Sequence, residues 1–418
     1  MATAAHLQRR ADEALAAADW ATARRLYSAA LAEDETPEAL EGLARASFFL
    51  NEGAPALDAH ERAYAGYRGA GRAVDAARMA IALAWDYRAF RGERAVSDGW
   101  LARARCAEAE QLGRDLADVD LEMTALALGG LIRVSQGEVA EGMSRLDEAT
   151  AAATAGEMRD PVAIGFSCCY LIFACERVRD FERAGEWCER VVRIAEGWNV
   201  QALRAVCRAH YGTVLMLRGE WKEAELVLDE AAAVLPARSG EGADTLARLA
   251  ELRRRQGRFD EARALIGQAE HHPIALLADA AIALDGGDTA GAIDGATRYL
   301  RLLQGARTER AAGLELLAEA HAAAGVTAEA ETAVHELAEI AVTAKTDPLR
   351  GAARQAEGHT LVAADRLDDA RAAFDDAVQL LARAGLPFEA ARARVALART
   401  LLQLGRADAA RTSGKTEA

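Results

Sequence analysis

The stretch GEWKEAELVLDEA, residues 219–231, contains a spacing that recurs along the whole chain. A glycine or polar residue is followed by a small residue five positions later, usually by a larger one at nine, and often by another small one at twelve. The interval between successive frames varies from 30 residues (Gly257 to Gly287) to 45 residues (Gly92 to Gly137). A spacing that recurs at intervals of this length is typical of helical repeats, in which each hairpin packs only on its neighbours.

The first residue of each frame predicts the tight turn between two helices, where a positive φ or a side-chain cap is needed. A small residue usually precedes each turn by seven positions and predicts where the first helix crosses the second. We therefore predict an all-α protein, a tetratricopeptide-like α-solenoid forming a right-handed superhelix of about ten helical hairpins. Besides Gly219, the predicted turn residues are Ala18, Asn51, Gly92, Gly137, Arg179, Gly257, Gly287, Gly325, Asp365 and Gly405.

Composition and charge restrict the function further. The 418 residues carry a formal net charge of -15, which argues against direct binding of nucleic acid, because phosphate recognition needs clustered Lys and Arg. The first residues, MATAAHLQRR, lack an apolar signal core, and no uninterrupted apolar run approaches the roughly 18 to 20 residues that span a bilayer. Six cysteines in a chain of this length fit reduced thiols. We predict a cytoplasmic protein without a membrane partner.

Composition also predicts how the array is divided. The segment PARSGEGA, residues 236–243, is rich in Pro, Gly and Ser and predicts a joint between two subdomains. Residues 1–235 would then form an N-terminal array and residues 244–410 a C-terminal array. The last residues, 411–418, have no apolar periodicity and are predicted to be disordered.

Four stretches resemble the tetratricopeptide region of actinobacterial LuxR-type transcriptional regulators and, more distantly, the sensor region of MalT-like regulators. They are residues 83–105, 146–175, 207–225 and 388–406. In that family the helical array usually precedes a C-terminal helix-turn-helix domain, whereas this sequence ends at Ala418. The resemblance implies a sensor or protein-docking array connected with transcriptional regulation.

Catalytic and cofactor motifs are incomplete in this sequence. The tripeptide at Gly414 imitates the end of a phosphate-binding loop, but the glycine needed five residues earlier is Ala409. The start of a zinc-protease motif at His335 has Glu339 where the second histidine is required. A Gly-x-Ser-x-Gly nucleophile elbow is absent from the sequence. We predict a protein that is not an enzyme and binds no cofactor.

The resemblance implies that the first helix of each hairpin lines a concave inner wall, at positions three, six, ten and thirteen before the turn. The middle of this wall is apolar and charges flank it, which suits a protein or peptide partner or a small-molecule effector. The same side chains could instead complete the packing between hairpins. The predicted binding residues are Asp86, Leu131, Val134, Phe166, Cys169, Phe173, Glu176, Thr213, Met216, Glu251 and Arg254.

Two other functions remain open at this point. Cys169, Cys207 and His210 lie on the first helices of adjacent hairpins, where they could form a metal- or thiol-responsive site. The alternative is that these cysteines are small apolar fillers of the core. An accessory protein of a specialised biosynthetic pathway is the third hypothesis, and the oligomeric state is left open.

Overall fold

The computed structural model describes residues 3–91, 93, 96–97, 99–100, 106–196, 201–237, 239–269, 272–406 and 408–410. The first half contains α1 (Ala4–Ala16), α2 (Trp20–Glu33), α3 (Pro37–Phe49), α4 (Gly53–Gly69), α5 (Ala73–Asp86), a π-helical turn (Tyr87–Arg91), α6 (Cys106–Leu116), α7 (Val119–Gln136), α8 (Val139–Ala155), α9 (Pro161–Val178) and α10 (Phe181–Glu196). The second half contains α11 (Gln201–Leu217), α12 (Trp221–Val234), α13 (Gly240–Arg255), α14 (Phe259–Ile266), α15 (Pro273–Asp285), α16 (Thr289–Leu302), a 3₁₀ turn (Thr308–Arg310), α17 (Ala311–Ala323), α18 (Thr327–Ala344), α19 (Asp347–Ala363), α20 (Leu367–Arg383) and α21 (Pro387–Gln403).

The predicted α-solenoid is confirmed, and the turns lie where the repeat places them. Arg179 and Asp365, which are not glycines, adopt φ values of 57° and 58° between α9 and α10 and between α19 and α20. Left-handed φ values also occur at Ala18, Asn51, Gly137, Gly219, Gly257, Gly287, Gly325 and Gly405. The eleventh predicted turn residue, Gly92, and the predicted disordered tail 411–418 lie outside the described residues.

Small residues at the helix crossings allow close approach within each hairpin. A Cβ atom on Gly130 of α7 would lie 2.7 Å from the carbonyl oxygen of Gly142 of α8, and one on Gly142 would lie 2.6 Å from that of Gly130. In the hairpin formed by α11 and α12, a Cβ on Gly212 would lie 2.6 Å from the Leu228 side chain. These glycines are therefore required because two helices touch at the crossing.

Hairpins that are distant in sequence also touch, because the array curves back on itself. The Thr308 hydroxyl donates to the Val134 carbonyl at 3.1 Å, and Thr346 donates to the Val178 carbonyl at 2.6 Å. Arg45 of α3 pairs with Asp160, just before α9, at 2.8 Å. These contacts tie hairpins together that are far apart in the sequence.

Helix α9 lies at the centre of this arrangement. Its residues Pro161–Val178 are long and apolar enough to cross a bilayer, with mean hydropathy 1.4, although the uncharged run ends before Glu176. In the folded chain 72% of this segment is buried inside the protein. Such burial among other helices of the same chain is typical of a core helix.

The predicted joint at residues 236–243 contains the start of α13. The Ser239 hydroxyl accepts a hydrogen bond from the Gly242 amide at 3.0 Å and caps the helix, which begins at Gly240. A Cβ on Gly240 would lie 2.1 Å from the Arg88 carbonyl oxygen in the π-helical turn. Close backbone contact explains this glycine, and the division into two subdomains stays a prediction.

Candidate functional site

A cluster of aromatic side chains interrupts the inner space of the superhelix. Trp85 of α5 stacks on Phe173 of α9, with ring centroids 5.8 Å apart and planes 8° apart. The same indole contacts Phe166 and Tyr170 of α9 at centroid distances of 4.7 and 5.8 Å. Around this cluster lie cavities that we call the first, second and third chambers.

The first chamber, of about 700 Å³, lies between α1, α3, α5, α7 and α9. Its lining includes the two predicted binding residues Asp86 and Phe166. Asp86 is only 1% exposed, and its Oδ2 lies 2.7 Å from Nδ1 of His60, which is also buried. A buried carboxylate on the wall of an apolar cavity is the kind of polar group that orients a ligand.

The second chamber, of about 660 Å³, lies between α5, α7, α9 and the segment before the 3₁₀ turn. Leu131 and Phe173, both predicted binding residues, contribute to its apolar wall. The Arg177 guanidinium at its edge pairs with Glu309 at 3.0 Å and donates to the Ser135 hydroxyl. These charged groups therefore neutralise each other across the chamber.

The third chamber, of about 340 Å³, lies between α9, α11, α13 and α15 and is lined by several charged side chains. Arg248 of α13 donates to both carboxylate oxygens of Glu176 at 3.0 and 3.1 Å and to the Thr213 hydroxyl at 2.7 Å. It also pairs with Asp244, one turn earlier on the same helix. Nδ1 of His210 lies 2.8 Å from Oε1 of Glu176, off the line of a hydrogen bond.

The acidic groups of the third chamber differ in their electrostatic environment. Burial would raise the pKa of Asp244, but Arg248, His272 and His210 outweigh it and hold this pKa at about 2. Burial likewise opposes ionisation of Glu176, yet Arg248 and His210 keep its pKa below the ordinary value. For Glu241, burial and the nearby Asp244 carboxylate together raise the pKa. Glu241 is thus a carboxylate whose charge is poorly compensated.

The remaining predicted binding residues occupy two kinds of position. Met216 lines the third chamber, whereas Val134 and Cys169 are at most 1% exposed and serve packing. Glu251 accepts two hydrogen bonds from Arg254 at 2.7 and 2.8 Å, and Arg254 also pairs with Asp285. The charges predicted to flank an open groove are therefore engaged with each other.

The cysteines are packed in the core of the protein. The sulfur atoms of Cys169 and Cys207 lie 3.8 Å apart, while the His210 imidazole lies beside Glu176. Burial raises the pKa of Cys168 to about 12, and a hydrogen bond with Cys169, together with burial, raises that of Cys207. Protonated thiols are weak metal ligands and weak nucleophiles, so this geometry favours packing for the cysteines.

Sequence reasoning missed the contribution of α13 to the third chamber. Asp244 stands thirteen positions before the turn at Gly257 and thus satisfies the spacing that predicted Glu251 and Arg254. Glu241 and Arg248 lie three residues before and four residues after it, on the same helix face. The glycines around Glu241 hid this pattern, because they are typical of a linker.

Comparison with known proteins leaves the family open. No protein-family model and no curated protein matches the chain. The chain is similar to the crystal structure of yeast Tom70, with 13% identity, 96% of both chains covered and a TM-score of 0.41. It is also similar to the Cut9-Hcn1 hetero-tetramer of the APC/C, with 12% identity, 99% and 92% covered and a TM-score of 0.44. For the human IFIT1 dimer with m7Gppp-AAAA the identity is 13%, the coverage 91% and 89%, and the TM-score 0.45.

Proposed function

We propose that this chain is a non-enzymatic binding module that takes up a small, positively charged ligand with an apolar body in its first chamber. The volume of about 700 Å³ falls within the range of roughly 300 to 1,000 Å³ typical of small-molecule sites. A long peptide would need an uninterrupted inner wall, and the Trp85 cluster divides that wall. An enclosed ligand therefore fits the chain better than an extended one.

The lining of the first chamber favours a cation. Aromatic faces attract positive charge through the ring quadrupole, and carboxylates attract it directly. The aromatic side chains of the lining are Trp20, Phe48, Phe49 and Phe166. The acidic residues, Asp12, Glu41, Asp86, Asp118, Asp120 and Asp160, outnumber the arginines, Arg45, Arg78 and Arg159.

The observation that carries this proposal is the buried Asp86 carboxylate in the lining of the chamber that Phe166 also lines. Asp86 and His60 form a buried pair on the wall of a chamber that has space for a guest. Burying a charged group in an apolar site costs free energy unless the group is paired and hydrogen-bonded, and His60 supplies that partner. In a binding module, that group would fix the orientation of a cationic ligand.

Two ions of nearly the same shape and opposite charge test the proposal. Tetraphenylphosphonium should bind the purified chain at least about tenfold more tightly than tetraphenylborate in isothermal titration calorimetry, a difference of about 1.4 kcal/mol. Ala82 lines the first chamber and Ala306 lines the second. Ala82→Phe should abolish tetraphenylphosphonium binding by filling the site, and Ala306→Phe should leave it unchanged. Equal affinity for the two ions, or loss of binding in Ala306→Phe instead, would contradict a cation site in the first chamber.

The sequence resemblance to LuxR-type regulators suggests the cellular role that we include in this proposal. The ligand would act as an effector in the cytoplasm, and the exterior of the helical array would pass its signal to a protein partner connected with transcription. Helical repeat arrays present extended surfaces that suit such docking. A pull-down from native lysate with and without tetraphenylphosphonium tests the link, and a partner whose recovery is independent of the ion would contradict it.

A further inference from the structure

The third chamber brings together three side chains that are common metal ligands. One ligand atom each from His210, Glu241 and Asp244 lies within 4.8 Å of the other two. His210 comes from α11, and the two carboxylates come from consecutive turns at the start of α13. In the part of the chain that the structure describes, no other group of three His, Cys, Asp or Glu side chains meets this spacing.

The His210 imidazole is held in the manner of a metal ligand. Its side chain is 6% exposed, and the ring packs against Phe173 with centroids 4.7 Å apart. Nδ1 lies 2.8 Å from the Glu176 carboxylate. Metal-binding histidines usually direct one ring nitrogen at a carboxylate and bind the ion through the other. Glu176 therefore stands in the orienting position.

Glu241 supplies the second observation, because its carboxylate faces the chamber without a partner. Among the described residues, no hydrogen bond or ion pair joins the Glu241 side chain to another group. Arg248 binds Glu176 and Asp244, and Arg88 at the chamber edge is near enough to attract Glu241 without pairing with it. A partly buried carboxylate without an ion-pair partner is costly, and a bound cation reduces this cost.

We propose that His210, Glu241 and Asp244 bind a divalent first-row transition-metal ion such as Zn²⁺. One imidazole and two carboxylates form a mixed nitrogen and oxygen set, which suits Zn²⁺ and its neighbours better than the purely oxygen-liganded Mg²⁺ or Ca²⁺. The ion joins the start of α13 to α11. This site is separate from the proposed effector chamber and involves none of its residues.

Calorimetry with Zn²⁺ alone tests the site on the intact chain after removal of metal with a chelator. Wild-type protein should bind one ion, and Glu241→Gln should weaken binding by at least about tenfold, because it removes one ligand charge while keeping the side-chain shape. Cys207→Ala and His335→Gln serve as controls. The first tests the cysteine site, and the second tests adventitious binding by the exposed surface pair His335 and Glu339. Both controls should bind Zn²⁺ as the wild type does.

Co²⁺ provides a second measurement on the wild-type chain that needs no substitution. Cobalt bound by nitrogen and oxygen gives only weak visible absorption, whereas thiolate ligands add an intense near-ultraviolet band. We expect the weak spectrum without the thiolate band. The proposal is overturned if the wild type binds no Zn²⁺, if Glu241→Gln binds it unchanged, if either control abolishes binding, or if the thiolate band appears.

Discussion

The two ends of helix α13 both bury charged side chains, but they differ in how these charges are paired. At the C-terminal end every carboxylate has an arginine partner: Glu251 binds Arg254 and Arg255, Asp285 binds Arg254, and Glu389 binds Arg255. Their hydrogen bonds include charge-assisted contacts of 2.6 to 2.8 Å. Each of these three carboxylates therefore has a positively charged partner within the chain.

At the N-terminal end of α13 the pairing is incomplete. One arginine, Arg248, serves both Glu176 and Asp244, and the Glu241 carboxylate has no ion pair among the described residues. The difference appears in the acidities, since Arg254 and Arg255 outweigh burial and hold the pKa of Glu251 at about 2, whereas that of Glu241 is raised. Complete pairing indicates a structural role, and a carboxylate left over beside an imidazole indicates a ligand site.

The largest expected effect is the loss of an arginine from the C-terminal cluster. Arg254→Met keeps most of the side-chain volume but leaves the Glu251 and Asp285 carboxylates short of a partner. Breaking a buried ion pair by removing one member typically costs about 3 to 5 kcal/mol, and we expect that loss in the free energy of unfolding from urea titrations. The control is Arg258→Met, which removes a side chain that is 40% exposed and should cost much less. Equal losses in both variants would show that burial does not strengthen the cluster.

Glu251→Gln gives the next effect and a pH dependence with a definite sign. Because the pKa of Glu251 is about 2 in the folded chain against an ordinary 4.5, its charge stabilises the protein above about pH 4.5. This stability is lost as the pH falls from about 4.5 towards 2. At neutral pH the free energy of unfolding of the variant should be about 3 kcal/mol lower than that of the wild type. This difference between the two proteins should shrink by roughly half near pH 3. The matched variant Glu261→Gln, at an exposed position, should show no such change, and a gap for Glu251→Gln that is constant with pH would contradict the assignment.

Sequence alone was sufficient for the turns because their geometry is local. Arg179 is a poor candidate for left-handed backbone by residue type, yet the repeat frame places it at a turn and its φ is positive. Phe173, Glu176 and Thr213, which the same frame predicts on the inner side, line the third chamber. Side chains on one helix face are fixed by helical periodicity alone.

The closure of the inner wall could not be predicted in this way. It depends on contacts such as Gly240 against the Arg88 carbonyl, between segments about 150 residues apart, which no local pattern reports. The small errors in each hairpin angle accumulate along a repeat array, so its pitch follows from the packing of every neighbouring pair. The sequence therefore suggested a linker where α13 begins, while the predicted groove stays a prediction.

The smallest expected effect is also the sharpest test of the contrast within α13. In buffer with a metal chelator, Glu241→Gln should leave the free energy of unfolding unchanged or raise it by up to about 1 kcal/mol, because it removes a partly buried charge that forms no ion pair with an arginine among the described residues. The neighbouring carboxylate, Asp244, lies one turn later on the same helix and forms an ion pair with Arg248. Asp244→Asn should therefore lose about 2 kcal/mol under the same conditions. If Glu241→Gln lost as much as Asp244→Asn, Glu241 would already be satisfied within the chain, and the N-terminal end of α13 would be as complete as the C-terminal end.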